Sequence, residues 1–325
     1  MKQLFTFIIF LASLGAGAQY QWDWGVAIGG ANYLGDIGGK EQTRRDFVFD
    51  MHLNQTNVAV GLYGRFKFSK RLSLAGNFTY LQINDSDSES TNPARVARNL
   101  NFRNRMFELG LRGELTLFYD NDVGGRGYYN PSFKFYVFGG ISAFRHNPQG
   151  QIRYQDPNDP IAFSKEEWWD LRDFRTEDTG NGEYEGYGYY GVALPAGIGL
   201  NFTFNKEWRI GWELSWRTTF TDYLDDISAV YGDPALMSDP ARAFYSQSYP
   251  ELIESINDPS AGTVFDHQWV GPEVRTKRGD PTNNDSFLTT QLTVGKVIRG
   301  RSNFYRSKYS WLKNRSGARR SRAKF

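Results

Sequence analysis

Along eight stretches of this chain, residues of one parity are apolar or aromatic while residues of the other are small, polar or charged. Side chains alternate across a β-strand, so such a stretch belongs where its two faces meet different surroundings. The first stretch sets Trp22, Trp24, Val26 and Ile28 against Asp23, Gly25, Ala27 and Gly29. The second sets Val58, Val60, Leu62, Phe66 and Phe68 against Ala59, Gly61, Tyr63, Arg65 and Lys67. The same alternation recurs over 72–80, 107–117, 133–143, 190–204 and 208–217, and less cleanly over 287–298.

The polar parity decides what those surroundings are. Glu108, Arg112, Glu114, Glu213 and Arg217 fall in mid-strand beside glycines and alanines. In a water-soluble sandwich the apolar face packs a core, whereas in an outer-membrane barrel it faces lipid and the lumen is polar. A narrow closed barrel needs small residues for space and charges that pair in its filled interior. Aromatic residues cluster at strand ends, among them Trp22, Trp24, Phe66, Phe68, Tyr119, Phe204, Trp208 and Phe220, as girdles at two membrane interfaces require. The expected fold is all-β: an eight-stranded antiparallel transmembrane outer-membrane β-barrel with long extracellular loops. Its lumen would be closed by Glu108, Arg112, Glu114, Glu213 and Arg217, and no conducting pore is expected.

The connections alternate in length. Short ones fall at 69–71, 120–131 and 205–207, and long ones at 34–55, 84–104, 145–186 and 222–285. That is the asymmetry of short periplasmic turns and long outer loops, and an even strand number places both termini in the periplasm. The chain opens MKQLFTFIIFLASLGAGAQ, a basic residue, a short apolar run and a small-residue cleavage pattern. Three parts follow: a signal peptide over 1–18, a barrel over 19–299, and a basic periplasmic tail over 300–325. Residues 299–325 hold ten Lys or Arg and no acid, so the remainder carries 28 basic against 36 acidic residues, a balance of −8.

Sites of chemistry are sparse. There is no cysteine, which excludes disulfides, thiolate metal sites and thiol nucleophiles. The three histidines, His52, His146 and His267, all fall in loops and are not spaced as a metal pair. No catalytic residues, cofactor or metal are expected. The rival enzyme would act on lipid or peptide at the outer rim with His146 or His267 as base. A further rival is an adhesin using Trp168 and Trp169 of EEWWDLRDF, for which packing of the loop onto itself is the simpler account. The glycines of AIGGANYLGDIGG, Ala27 to Gly39, fit no phosphate-binding pattern and belong to a strand end turning into a loop. Asp222, Asp225 and Asp226 follow the seventh strand, with Tyr223 between them, but lack the ligand spacing of an EF-hand. They are expected to order a strand-to-loop corner, with a weak surface calcium site as the alternative. In the tail, Arg301, Tyr305, Arg306, Lys308, Tyr309, Trp311, Lys313 and Arg315 interleave charge with aromatic rings. An exported tail of this kind suits anionic lipid headgroups or an acidic protein rather than nucleic acid, or else serves as a disordered solubilising segment.

Three segments carry a family resemblance: NYLGDIGG after the first strand, TDYLDDISAVY after the seventh and KRGDP before the last. With the order of elements along the chain, they resemble the PorG-like outer-membrane proteins of Bacteroidetes associated with the type IX secretion system. The resemblance implies a non-enzymatic barrel in the outer membrane that contacts the periplasmic ring proteins of that machinery (PorK and PorN, or GldK and GldN in gliding relatives). The basic tail is the expected contact.

Overall fold

The structure is a computed structural model that describes residues 20–38, 53–69, 71–90, 93–120, 132–156, 159–178, 186–204, 207–241, 278–279 and 281–299. Eight antiparallel strands form a closed ring. In chain order they begin with β1 (Tyr20–Leu34), β2 (Asn57–Lys67), β3 (Leu72–Ser86), β4 (Asn101–Asp120) and β5 (Ser132–Arg145). Two further short pairs intervene: a hairpin of β6 (Pro148–Asp156) and β7 (Asp159–Asp170), and β8 (Glu177–Asp178), which pairs with β11 (Val230–Tyr231). The ring is completed by β9 (Tyr190–Phe204), β10 (Trp208–Thr219) and β12 (Ser286–Arg299). Around the wall the order is β3-β2-β1-β12-β10-β9-β5-β4, and β4 returns to β3 from Leu72↔Leu115 to Ser86↔Asn101. Closure removes every free edge from the ring, which a spanning sheet requires because lipid offers no hydrogen bonds.

All eight alternating stretches of the sequence are wall strands. The wall is inverted relative to a soluble protein. Outside, Trp22, Trp24, Leu62, Leu109, Leu111, Ile141, Ile210 and Leu292 are exposed. Inside, Glu108 is 1% exposed and Asp23, Arg65, Glu114 and Arg217 are each 3–4% exposed. Apolar groups on the outside and charges within are stable only where the outside medium is itself apolar. The barrel is therefore read as membrane-spanning, and no helix among the described residues is long and apolar enough to cross a membrane.

Two ends differ. At one mouth the strands are joined by short connections, such as the turn in which the Ser69 Oγ accepts from the amides of Arg71 and Leu72. At the other, the strands overshoot. β4 has 20 residues, well beyond the 9–11 that suffice to cross a bilayer. In this overshoot the inward parity turns apolar: Leu81, Ile83, Phe102, Met106, Phe144 and Phe287 are all nearly fully buried. Loop residues Ile37, Leu100, Leu171, Phe174, Leu224, Ile227 and Met237 close over them as one cluster. The molecule thus has two interiors, a charged one within the wall and an apolar one beneath the long loops.

Candidate functional site

The charged interior is built from strand register. On β10, residues 209, 213 and 217 lie on the inward parity, and their cross-strand partners on β9 are Thr203, Gly199 and Pro195. Gly199 makes room for the Tyr136 ring, which a Cβ there would penetrate. With that space, Tyr136 donates to the Glu213 Oε1 at 2.5 Å, and the same carboxylate takes two contacts of 2.7 Å from the Arg112 Nη2. Arg65 holds Glu114 through its Nε at 2.5 Å and Nη2 at 3.0 Å, reaches Asp23 at 3.1 Å and touches Glu213 at 3.3 Å. Arg209 also pairs with Asp23. Nearer the long loops, Arg217 binds both oxygens of Glu108 at 2.9 and 3.0 Å and donates to the Thr289 hydroxyl at 2.5 Å. The five charges expected in the lumen are all there, and the network adds Asp23, Arg65 and Arg209. Those three were legible too, since each lies on the polar parity of its strand. In a barrel of eight strands the interior is just wide enough for side chains such as these to fill.

Over the long-loop mouth, the structure brings together the three motif segments that lie far apart in sequence. Asp225 is fully buried; its Oδ1 accepts from the Ile227 amide at 2.9 Å and its Oδ2 from the Ile37 amide at 3.2 Å, joining TDYLDDIS to NYLGDIGG. Asp285, just before β12, accepts from the Tyr33 hydroxyl at 2.6 Å and from the Leu224 amide at 2.9 Å. Asp226 adopts a left-handed backbone at φ 72°, a conformation that Asp tolerates better than most residues. There its carboxylate accepts from the hydroxyls of Thr176 at 2.6 Å and Tyr187 at 2.7 Å and from the Arg278 Nη2 at 3.2 Å. Arg278, the arginine of KRGDP, also binds Glu177 at 3.0 Å. Its carbonyl accepts from Arg98 at 2.7 Å, and Arg98 in turn grips Asp87 at 2.7 and 2.8 Å.

Local chemistry explains why the chain turns there. Arg98 is the last residue of a short helix, α1 (Pro93–Arg98), and the chain leaves it through Asn99 at φ 56°, a residue that accepts the left-handed region readily. Gly38, at φ 71°, donates its amide to the Asp87 Oδ1 at 3.2 Å, and a Cβ there would strike the Asp85 carboxyl. Tyr223 stacks on Tyr187 with centroids 4.6 Å apart and planes 7° from parallel. The acids do order a corner, as expected, and they also lock it to two other segments. Among the described residues no group of three or more potential ligand side chains is placed to hold a metal ion.

Asp222 is different. Both its carboxylate oxygens are buried, and among the described residues neither has a hydrogen bond of ordinary geometry. Burial pushes its carboxyl up to about 8, and the nearby Asp225 and Asp36 add to this while Ser228 opposes it. Burial likewise pushes Asp225 and Asp285 well above the ordinary carboxylate range. For an acid whose folded value lies above its unfolded value of about 3.9, the folded state holds the extra proton between the two, so stability falls as pH rises through that window. Asp222→Asn should therefore flatten the decline of cap stability between about pH 4 and about pH 8 and raise stability at the alkaline end. Protease resistance of the cap across that pH range measures it; a variant less resistant than the parent at pH 8 would refute the reading.

The remaining expectations distribute as follows. His146 sits outside the wall strands, 2% exposed, with its Nδ1 unpartnered among the described residues, and burial lowers its pKa to about 4. Trp168 and Trp169 end a strand of the β6–β7 hairpin rather than lying in a loop; Arg103 stacks over Trp168 at 4.0 Å, while Leu171 and Phe174 just beyond enter the apolar cap. The hairpin could form because β4 overshoots the membrane and offers an edge at Arg103↔Gln149 and Asn104↔Pro148. Asp87, Arg98, Glu177 and Asp285 had no marker in the sequence. The signal peptide, His52, His267 and the tail residues Arg301, Tyr305, Arg306, Lys308, Tyr309, Trp311, Lys313 and Arg315 lie outside the described residues.

Closure, strand number and inverted polarity define an outer-membrane-type, eight-stranded antiparallel β-barrel. A family model described as a domain of unknown function (DUF6089) matches residues 2–160. Comparison with the curated proteins finds no match. Among solved structures, the chain is similar to Ail, the attachment invasion locus protein of Yersinia pestis, in complex with a heparin analogue, at 10% identity, covering 86% of this chain and 99% of that one with a TM-score of 0.32. It is also similar to Neisserial surface protein A at 6% identity, covering 85% and 97% with a TM-score of 0.36. The N-terminal β-barrel domain of Pseudomonas aeruginosa OprF matches at 10% identity, covering 86% and 100% with a TM-score of 0.30.

Proposed function

We propose that this barrel is a non-enzymatic outer-membrane component of the type IX secretion machinery, and of gliding where the two are linked. In this role it anchors the periplasmic lipoprotein ring (PorK and PorN, or GldK and GldN) at the outer membrane. One observation carries the reading. The three segments that resemble PorG-like proteins are bonded to one another through Asp225, Asp226, Arg278 and Asp285, so the resemblance concerns one built unit rather than scattered words. A lumen filled by interlocked ion pairs moves function to the surfaces. The long loops then face outward and the short turns face the periplasm. β12 ends at Arg299 beside Tyr20 at the short-turn mouth, so the basic tail starts on the side where a ring would be met.

The test is affinity purification from native membranes in mild detergent, with full-length protein and with a chain ending at Arg299, followed by mass spectrometry. Ring proteins that accompany the full chain and are lost with the tail support the anchor. Ring proteins present with both would transfer the contact to the short turns, and their absence from both would refute the secretion role. The enzyme rival needs His146 as a working base; His146→Ala leaving secretion intact would remove that residue from contention.

A further inference from the structure

On the outer face of β4 the exposed Leu117, Leu115, Leu111, Leu109 and Phe107 give way, toward the long-loop mouth, to Arg105 and Arg103. Asn104 and Met106, which alternate with them, are fully buried, so both arginines project outward from the wall. Arg145 joins them: it is exposed, in register with Phe107 on β4 and with Tyr190 on β9, while Phe144 beside it faces inward. From Leu117 to Phe107 the strand covers about the 9–11 residues that cross a bilayer, so the arginines stand where the hydrocarbon ends. Rings and amides hold them. The Arg103 guanidinium lies 4.0 Å over Trp168 and its Nε donates to the Gln149 Oε1 at 3.0 Å. Arg145 lies 5.6 Å over the Tyr189 ring. The cross-strand partners of Arg103 and Arg105 are the uncharged Asn84, Gln82 and Gln149. Asp170, on the next strand out, accepts from the Gln149 Nε2 at 2.7 Å. Among the described residues none of the three arginines forms an ion pair, and Arg105 bears on Arg103 as a like charge. An anion seated between them would relieve that repulsion.

We propose that this outer rim of β4 and β5 binds the phosphates of a membrane lipid headgroup through Arg103, Arg105 and Arg145. The occupant follows from position. The rim is continuous with Leu109, Leu111 and Ile141 on the lipid-facing wall, so acyl chains lie directly beneath the guanidiniums and a headgroup is what reaches them. A soluble acidic partner would have to approach in the plane that lipid already fills. Guanidinium forks match phosphate geometry and are weakly hydrated, which suits them to a membrane interface. Phe107, Tyr190 and Trp168 surround them with the rings that favour the same depth. With the long loops outward, as in the proposed role, the leaflet concerned is the outer one; the binding itself does not depend on the secretion reading.

The full chain in detergent is titrated with diphosphoryl lipid A, and separately with dephosphorylated lipid A, and bound lipid is counted by native mass spectrometry. The phosphorylated lipid should bind about tenfold tighter or more. Arg105→Gln should weaken it about fivefold, and the triple variant Arg103→Gln, Arg105→Gln, Arg145→Gln about a hundredfold, the scale for arginines at a membrane surface. Lys296→Gln, on the outer wall beside Trp208 at the opposite end, should leave the affinity unchanged. Equal binding of the two lipids, an unaffected triple variant, or displacement by an equal concentration of inorganic phosphate would each overturn the assignment. Limited proteolysis without lipid supplies a further check: long loops cut faster in the triple variant than in the parent would mean that these arginines pair with acids of the chain's own loops, and the lipid site would be refuted. Ring proteins do not enter these readouts, so failure here leaves the anchor reading standing.

Discussion

Glu213→Ala is expected to destabilise the barrel by about 3–5 kcal/mol, the range for removing one partner of a buried ion pair. Glu213 is 5% exposed and accepts from Arg112, Arg65 and Tyr136 at once. Its loss leaves the Arg112 guanidinium with only Glu114 at 3.3 Å, and it leaves the Tyr136 hydroxyl without its acceptor. The wall strands would remain paired, so the loss should appear as a lower urea midpoint and a lower temperature for the folded-to-unfolded shift on gels, not as absence of the barrel. The double variant Arg112→Met with Glu213→Leu removes both charges and should recover much of the loss, because an apolar pair needs no compensation. A Glu213→Ala midpoint equivalent to within about 1 kcal/mol of the parent would mean that the network is not a structural plug.

The second large effect belongs to Arg278→Ala. Arg278 is 4% exposed, binds Glu177 and Asp226, and anchors Arg98 through its carbonyl. Even with Arg278 present, burial raises the carboxyls of Glu177 and Asp226. Without it, two buried acids lose their cation, and the cap should open by a similar margin of about 3–5 kcal/mol while the barrel stays closed. Because both acids have folded values above their unfolded ones, the opening should grow as pH rises above the unfolded carboxylate range of about 4. Limited proteolysis should cut the long loops faster in the variant, with the difference larger at pH 8 than at pH 5, and leave the wall strands intact. Equal cutting of variant and parent at pH 8 would show that the three motif segments hold together without this arginine.

The barrel could be read from the chain because its two faces meet opposite media. Residues such as Leu109 and Glu108 alternate for as long as the strand lies in the bilayer, and period two is a local pattern that needs no knowledge of partners. That alternation determined the strands, their number, the inward charges and the uneven connections. Even the change of interior was marked, since Leu81, Ile83, Phe102 and Met106 make the inward parity apolar where β3 and β4 outrun the membrane. What alternation cannot carry is which inward charge meets which. Arg65 pairs with Glu114, 49 positions away, and Arg112 with Glu213, 101 positions away, through ring closure alone. The cap is the extreme case. TDYLDDIS announced a corner by its composition, but its function as a lock depends on Ile37 and Glu177 arriving from two other connections and on Arg278 and Asp285 returning from the far end of its own. Such hydrogen bonds impose no spacing on the chain, so only the folded barrel, which brings the connections to one mouth, decided them.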